Sequence, residues 1–399
     1  MSGREGHAAS PRSDRCVICR STNLTSLIEI ERVPVVCNRL YDTRDEAMAA
    51  PQGPLRLVAC GDCGHLFNAA FEPALVNYDE GYENSLHHSP RFHAYAEALA
   101  ERLVRTHRLS GHRVTEVGCG QGEFLGLLCA AGAGEGVGFD PAFRPATSDA
   151  LPDRVRIFGG HFDAGSDVEP SALFCCRHVL EHVPLPVAFL QAMHLTMESS
   201  PDAAVYVEVP NALYTLRDLG IWDLLYEHCS YFSPRSLVRT MEMAGFVVDD
   251  VVEDFGGQFL GVDARSKNGT APRVDRRQAE GPFAFTDAFG HRYEERRDSW
   301  RHALAEHSRQ GHHVVVWGCG TKGVTFLDVV GRAGGIDCVV DINPNKHGRY
   351  VPGTGHQVVP PEALVHRPPD VVLLMNPIYE NEVAAELDAL GLSPTIRCV

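Results

Sequence analysis

Two strand–glycine-turn–helix units in one chain predict an α/β protein with two Rossmann-like domains. Two Cys-x-x-Cys pairs ahead of them predict a small metal-stapled module. The first unit is Val114-Thr-Glu-Val-Gly-Cys-Gly-Gln-Gly-Glu-Phe-Leu125, followed by Val137-Gly-Phe-Asp140. It reads as a buried strand, a glycine turn, a helix start and a second strand ending in a carboxylate. The second unit is Val314-Val-Val-Trp-Gly-Cys-Gly-Thr-Lys-Gly323, with strand-like segments at 336–341 and 371–375 after it. Strands that alternate with helices in this way build doubly wound parallel sheets.

The remaining elements follow along the 399-residue chain, which is long enough for two or three domains. Residues 12–73 form the expected zinc-binding module, with a strand at 55–59 and a loop at 42–54. Cys16, Cys19, Cys60 and Cys63 have the spacing of the two halves of a structural zinc site. Thiolates suit zinc, and the metal would hold a segment with little core of its own. Buried or turn cysteines and a catalytic dithiol are the other readings of these pairs. Cys37 lies between them and reads as spare. An amphipathic helix at 91–108, with Ala94, Ala98, Leu99, Leu103 and Val104 on one side, opens a core expected over 74–265. Later core strands are expected at 173–176, 205–209, 247–252 and 259–264, with Ser233-Pro234 starting a helix over 235–244. Residues 266–282 are rich in charge, Gly and Pro and read as a linker. A charged helix at 286–308 then leads the carboxy-terminal Rossmann-like domain, 283–399.

Net charge is −16, from 36 basic and 52 acidic residues, and no basic tract is present. That balance excludes binding along a nucleic-acid backbone as an expected function. The apolar runs are too short to span a bilayer, so no membrane partner is expected. Met1-Ser-Gly-Arg-Glu-Gly6 has no apolar signal segment, and a cytoplasmic location is expected.

The candidate chemistry clusters at strand ends, where α/β sheets place their ligands. Gly118, Gly120 and Gly122 let the backbone approach a ligand, and Asp140 suits ribose hydroxyls. Glu116 is placed to orient the cofactor's amino-acid part or to cap a local turn. Phe162 and Asp163 border the expected adenine position, with Phe162 also readable as core. In Cys175-Cys-Arg-His-Val-Leu-Glu-His182, His182 is the substrate-facing candidate, His178 reads as structural and Glu181 as a solvated helix-face acid. In Tyr226-Glu-His-Cys-Ser-Tyr-Phe232, His228 suits proton removal near neutral pH and Glu227 suits orienting it, with loop stabilisation as the alternative. Tyr82 and His87, in an aromatic polar segment at 78–88, read as ligand contacts or as a packed joint between modules. Gln258 follows two glycines at the mouth of the late sheet and suits a polar substrate. Gly318, Gly320 and Gly323 match Gly-x-Gly-x-x-Gly, and Asp341 keeps an NAD site open. Lys322 points instead to a substrate phosphate, and plain helix–sheet packing is the third reading.

The Gly118–Gly122 turn with Asp140 resembles motif I of class I S-adenosylmethionine methyltransferases, which implies S-adenosylmethionine as cofactor and makes 74–265 a methyltransferase core. With the cysteine pairs, the His182 region, Glu227-His-x-Ser-Tyr-Phe232, the Gly318–Gly323 turn, Arg349-Tyr-Val-Pro-Gly353 and Asn376-Pro-Ile-Tyr-Glu-Asn-Glu382, nearly the whole chain resembles bacterial nucleotide-sugar C-methyltransferases of deoxysugar and natural-product biosynthesis. That resemblance implies a structural Zn²⁺, a keto-sugar nucleotide as substrate, and methylation through a base-generated enolate. It implies His228 as base, Glu227 as its polar neighbour and His182 near the enolate oxygen or organising the sugar; Tyr82, His87, Tyr226, Gln258 and Lys322 are the residues expected on the substrate. Leu225 stands where the family carries tyrosine, Asn84 replaces a second aromatic, and the glycine turn replaces Ser-Asn-Asp-Gly. The alternatives are an O- or N-methyltransferase acting on a carbohydrate or other polar metabolite, and a nucleotide-binding partner-recruiting protein.

Overall fold

The computed structural model describes residues 14–77, 81–144, 151–163, 165, 166, 168–266, 274 and 279–399. Most of the expected linker and residues 78–80 of the aromatic segment lie outside the described residues. The strands in chain order are β1 (Leu24–Pro34), β2 (Gln52–Cys60), β3 (Leu66–Asn68), β4 (Arg113–Val117), β5 (Glu135–Asp140), β6 (Val155–Gly159), β7 (Leu173–Arg177) and β8 (Ala204–Pro210). They continue as β9 (Ser230–Tyr231), β10 (Phe246–Asp254), β11 (Phe259–Ser266), β12 (Val314–Trp317), β13 (Cys338–Val340), β14 (Val358–Val359), β15 (Val371–Leu374) and β16 (Thr395–Cys398).

Three sheets result. The amino-terminal sheet runs β1-β2-β3-β9, the central one β10-β11-β8-β7-β4-β5-β6 and the carboxy-terminal one β14-β13-β12-β15-β16. In the central sheet β8, β7, β4, β5 and β6 are parallel neighbours, while β11 enters antiparallel to β8 and β10. All pairs of the carboxy-terminal sheet are parallel. β4 has β5 on one side and β7 on the other, and β12 is flanked in the same way by β13 and β15. Each sheet therefore reverses direction of growth at one point, where a crevice opens beyond the carboxyl ends of the strands.

Local sequence sets the helix starts. Ser89 accepts from the Phe92 amide at 3.2 Å and Pro90 fills the first turn of helix Pro90–Thr106. Its buried face is Phe92, Ala96, Leu99, Ala100, Leu103 and Val104. Ser233 and Pro234 start Pro234–Met243 by the same device, with Ser236 completing a capping box. The expected loop at 42–54 is corrected by a short helix, Arg44–Met48, which Thr43 and Glu46 cap reciprocally. β1 went unforeseen, because its alternation is broken by two register shifts against β2. One apolar cluster joins Leu55 and Leu57 of the amino-terminal sheet through Trp222 and Tyr226 to Phe326 and Leu327 of the carboxy-terminal domain. β3 pairs with β9, which lies just after His228, so the cysteine module is hydrogen-bonded to the segment that follows His228. Among the described residues, no helix is long and apolar enough to cross a membrane.

Candidate active site

The crevices of the central and carboxy-terminal sheets open into one cavity of about 670 Å³. Val117 and Arg177 line it from the ends of β4 and β7, and Trp317 and Leu374 from the ends of β12 and β15. Such a volume is that of a small-molecule site.

On the central side, Gly118, Gly120 and Gly122 all adopt positive φ, at 73°, 57° and 88°. A side chain at Gly118 would collide with Val179, and one at Gly122 with Ile157, whereas Gly120 faces open space. Asp140 fixes this turn: its Oδ2 accepts from the Gly120 amide at 2.8 Å and its Oδ1 from Ala142 at 2.7 Å. A carboxylate has about four acceptor positions, so two remain for ribose hydroxyls. Glu116 is buried and lines the cavity, and its Oε2 has no hydrogen-bond partner. Burial pushes its carboxyl up to about 8. An orphaned buried carboxyl beside an open glycine turn fits the ammonium and ribose of S-adenosylmethionine. Phe139 and Phe162, edge to face with centroids 5.5 Å apart, supply an aromatic wall suited to a purine.

Between the two sides stand His182 and His228, with ring centroids 4.8 Å apart and both rings on the cavity. Burial, and then the charge of His182, drive His228 well below the ordinary imidazole value. It is neutral at neutral pH, and the same shift makes it a weaker proton acceptor than a free imidazole. Glu227 is fully buried and does not line the cavity. Its Oε1 accepts from the Cys37 amide at 2.9 Å, its Oε2 from the Tyr82 hydroxyl at 3.1 Å, and Oε2 lies 3.9 Å from His182 Nδ1. Burial raises its pKa, which His182 opposes. Glu227 therefore holds Tyr82 and faces His182. Cys37, expected to be spare, supplies one of the amides that fix it. The ligand atoms of Glu181, His182 and His228 also gather within 4.8 Å.

Beneath these groups runs a charged network that the sequence did not disclose. Arg177 donates to Glu208 Oε1 from Nε at 3.0 Å and from Nη2 at 2.8 Å, and both side chains are buried. Tyr206 donates to Glu208 Oε2 at 2.9 Å and Tyr95 donates to the same oxygen. His178, at φ 53°, brings Nε2 to 2.9 Å from Glu208 and Nδ1 to 3.7 Å from Glu181. Although burial opposes its charge, the two acids raise its pKa to about 9. Glu208 is lowered: burial works against its charge, but Arg177 and His178 outweigh it.

On the carboxy-terminal side the glycine turn repeats the central device. Asp341 Oδ2 accepts from the Cys319 amide at 2.7 Å and Oδ1 from the Asn343 amide at 2.8 Å, with Lys346 Nζ at 3.3 Å. A side chain at Gly323 would strike the Gly318 carbonyl, so that glycine permits close helix–strand packing. Lys322 lines the cavity in an ion pair with Asp223 and 5.1 Å from the Tyr214 ring centroid.

The cavity thus gathers Glu116, Gly118, Gly120, Asp140, Phe162, Tyr82, His87, His182, His228, Gln258 and Lys322 from distant parts of the chain. Gln258 exchanges two hydrogen bonds with Asn376, at 3.0 and 2.9 Å, and so bridges the central and carboxy-terminal domains. Burial, then Arg177, lowers His87 to about 4, so it meets a ligand as a neutral ring. Four expectations need correction. Gly122 is off the cavity, close against Ile157 and Leu151. Tyr226 is off the cavity: its ring fills the space over Gly53, and its hydroxyl accepts from the Glu72 amide at 2.9 Å. Asp163 is also off it, closing a turn by accepting from the Gly165 amide at 2.8 Å. Glu181 is buried rather than solvated, with Oε2 unpartnered.

The four cysteines meet as expected. Cys16 Sγ lies 3.6 Å from Cys63 Sγ, and Cys19 Sγ 3.5 Å from Cys60 Sγ. A tetrahedron with 2.3 Å zinc–sulfur bonds has an edge of about 3.8 Å, so the donor set fits Zn²⁺. The clustered site has no position directed at the cavity, consistent with a structural metal.

Residues 87–251 match a family model described as a methyltransferase domain, and residues 273–392 one described as a C-methyltransferase C-terminal domain. The C-methyltransferase NovU of Streptomyces niveus is 26% identical over 393 residues, covering 93% of this chain and 91% of that protein. Among solved structures, the mitomycin 7-O-methyltransferase MmcR is 20% identical with a TM-score of 0.36, over 43% of this chain and 54% of that one. The 1,6-didemethyltoxoflavin N1-methyltransferase of Burkholderia thailandensis is 17% identical with a TM-score of 0.35, over 43% of this chain and 78% of that one. With its glycine turn, strand-end acid and matched domain models, the chain is an S-adenosylmethionine-dependent methyltransferase with a class I core, similar over nearly its whole length to the C-methyltransferase NovU.

Proposed function

We propose that the protein C-methylates a nucleotide-linked keto sugar through an enolate formed at His228. The observation that carries the reading is the pair of His182 and His228, set in one cavity between a cofactor turn and a second Rossmann-like turn. When bound, S-adenosylmethionine supplies a methyl already activated by its sulfonium. Glu116 and Asp140 would hold its amino-acid and ribose parts. A ring nitrogen of neutral His228 takes the proton from the carbon beside the sugar carbonyl. The bond's electron pair spreads onto the carbonyl oxygen, where a ring N–H of His182 supplies a donor to the growing charge. Glu227 fixes Tyr82 and the His182 side of this arrangement. The Gly318–Gly323 turn with Lys322 would take the nucleotide's phosphates, with Lys322 leaving Asp223 for the stronger anion. Positioning and water exclusion supply most of the acceleration, since no further activation of the methyl is required.

The test is mass-resolved transfer from methyl-labelled S-adenosylmethionine across nucleotide keto sugars and their reduced and amino counterparts. A product whose fragments place the label on carbon supports the reading. A label on oxygen or nitrogen replaces it with O- or N-methylation. In heavy water, wild type should exchange the acidic carbon–hydrogen bond of the sugar, and His228→Gln should lower that exchange and turnover by about 10²-fold or more while cofactor affinity is retained. Unchanged exchange in the variant removes His228 as the base.

A further inference from the structure

The segment from Tyr82 to Ser89 lines the cavity along its whole length and is tied alternately to the parts around it. The Glu83 amide donates to the Asn38 carbonyl at 2.9 Å, anchoring the segment on the cysteine module. Ser85 donates to Glu123 of the central domain at 3.1 Å, and Ser89 to Glu382 of the carboxy-terminal domain at 2.8 Å. At the centre of these ties is the buried carboxylate of Glu83. Its Oε2 accepts from Arg144 Nη2 and from Asn345 Nδ2, both at 3.2 Å, and its Oε1 from Asn343 Nδ2 at 3.2 Å and the Ser85 amide at 3.3 Å.

These donors come from both halves of the cavity. Arg144 follows the Asp140 turn, whose Ala142 amide binds Asp140. Asn343 and Asn345 follow Asp341, and the Asn343 amide binds Asp341. Glu83 thus joins the acid turn of one Rossmann-like domain to that of the other, and its neighbour Tyr82 reaches Glu227. A buried carboxylate with four donors is stable only while all four are in place, because losing some leaves a desolvated charge underpaired.

The geometry points to Glu83 as a positioning residue that latches the 82–89 strap over the cavity and sets Tyr82 against Glu227 only when the two domains are correctly apposed. The inference rests on the proposed sugar chemistry for its consequence but not for its geometry. With the latch intact, the strap slows exchange of the His228 proton with solvent relative to methyl transfer, so wild type washes in some deuterium but methylates faster. With the latch removed, the proton exchanges with water and returns to the sugar before transfer.

The experiment compares full-length zinc-loaded wild type with Glu83→Gln, which keeps shape and replaces two acceptors by one acceptor and a donor. Amide hydrogen exchange in residues 82–89 should quicken roughly ten-fold or more in the variant, with the amides of β4 and β12 unchanged. With a nucleotide keto sugar in heavy water, the ratio of deuterium washed into the sugar to methyl transferred should rise by a similar factor. If the variant does not fold, Arg144→Gln and Asn343→Ala each remove one donor and should move both readouts the same way. Strap exchange equal to wild type in a folded variant overturns the latch. Quickened strap exchange with an unchanged washout ratio confines Glu83 to a structural role and overturns its positioning role. If no sugar is methylated, the sugar reading fails, and the amide comparison alone still decides whether the latch exists.

Discussion

Glu208 shows how much of the site depends on a residue that touches no ligand. It takes two donors from Arg177, two hydroxyls and the imidazole of His178 while fully buried. Replacing it by alanine strands the guanidinium of Arg177 in a desolvated position, so Glu208→Ala should cost about 3–5 kcal/mol in denaturant unfolding. Glu116 makes a prediction of a different kind. In the free protein its carboxyl stays protonated up to about pH 8, because it is buried and unpartnered. An arriving ammonium favours the carboxylate, so cofactor binding below that pH should release a proton, and the release should vanish above it. Calorimetry in buffers of different ionisation enthalpy checks this, and Glu116→Gln should abolish the release and weaken binding by about 1.5–3 kcal/mol. At this scale the sequence was uneven. Glu116 and Asp140 were legible because each sits at the end of an apolar strand run, and His228 because it stands in the polar cluster Tyr226-Glu-His228. Tyr226 was misread because its ring packs over Gly53 in the amino-terminal sheet, and Glu181 because it lines the cavity while buried, and both surroundings come from distant parts of the chain. Glu83 and Glu208 gave no signal, since their partners lie in other elements.

At the scale of elements, one device appears twice. The acids ending β5 and β13 each accept an amide from their own glycine turn and another from two residues ahead. The glycine spacing announced both turns in sequence, whereas the shared hydrogen bonding did not show, because the residues supplying the amides differ. Strand positions were readable wherever both faces are buried, as in β7, β8, β12 and β15, whose apolar runs are continuous. β1 and β9 were not, the first being irregular and half exposed and the second only two residues long. β9 nevertheless ties the cysteine sheet to the loop that carries His228. Chelating the zinc, or replacing Cys60 by serine, should loosen β3 and with it β9. Turnover should then fall while the central sheet, followed by the hydrogen exchange of β4, stays protected.

Across the whole molecule, the domains are joined by a shared apolar cluster and by paired polar groups that line the cavity. Gln258 and Asn376 exchange two hydrogen bonds across the central and carboxy-terminal domains. Gln258→Ala leaves Asn376 with neither, and should raise the apparent Michaelis constant for the methyl acceptor, here proposed to be a sugar nucleotide, more than that for the cofactor, as measured by steady-state kinetics. About 1–3 kcal/mol is at stake for the unpaired amide. The three-part order was legible from composition and motif spacing. The merging of two crevices into one cavity was not, since it depends on how the sheets face each other, and no local pattern encodes that.

The pairing of β3 with β9 also bears on how the chain is made. All four clustered cysteines precede residue 64, but the last strand of their sheet comes only with Ser230 and Tyr231. As the chain leaves the ribosome, β3 waits with an open edge until most of the central domain has been synthesised. Open edges invite pairing with other chains. Metal capture by the four thiols is available throughout that interval, so zinc would serve first as a clamp on an unfinished sheet and only later as part of the finished enzyme.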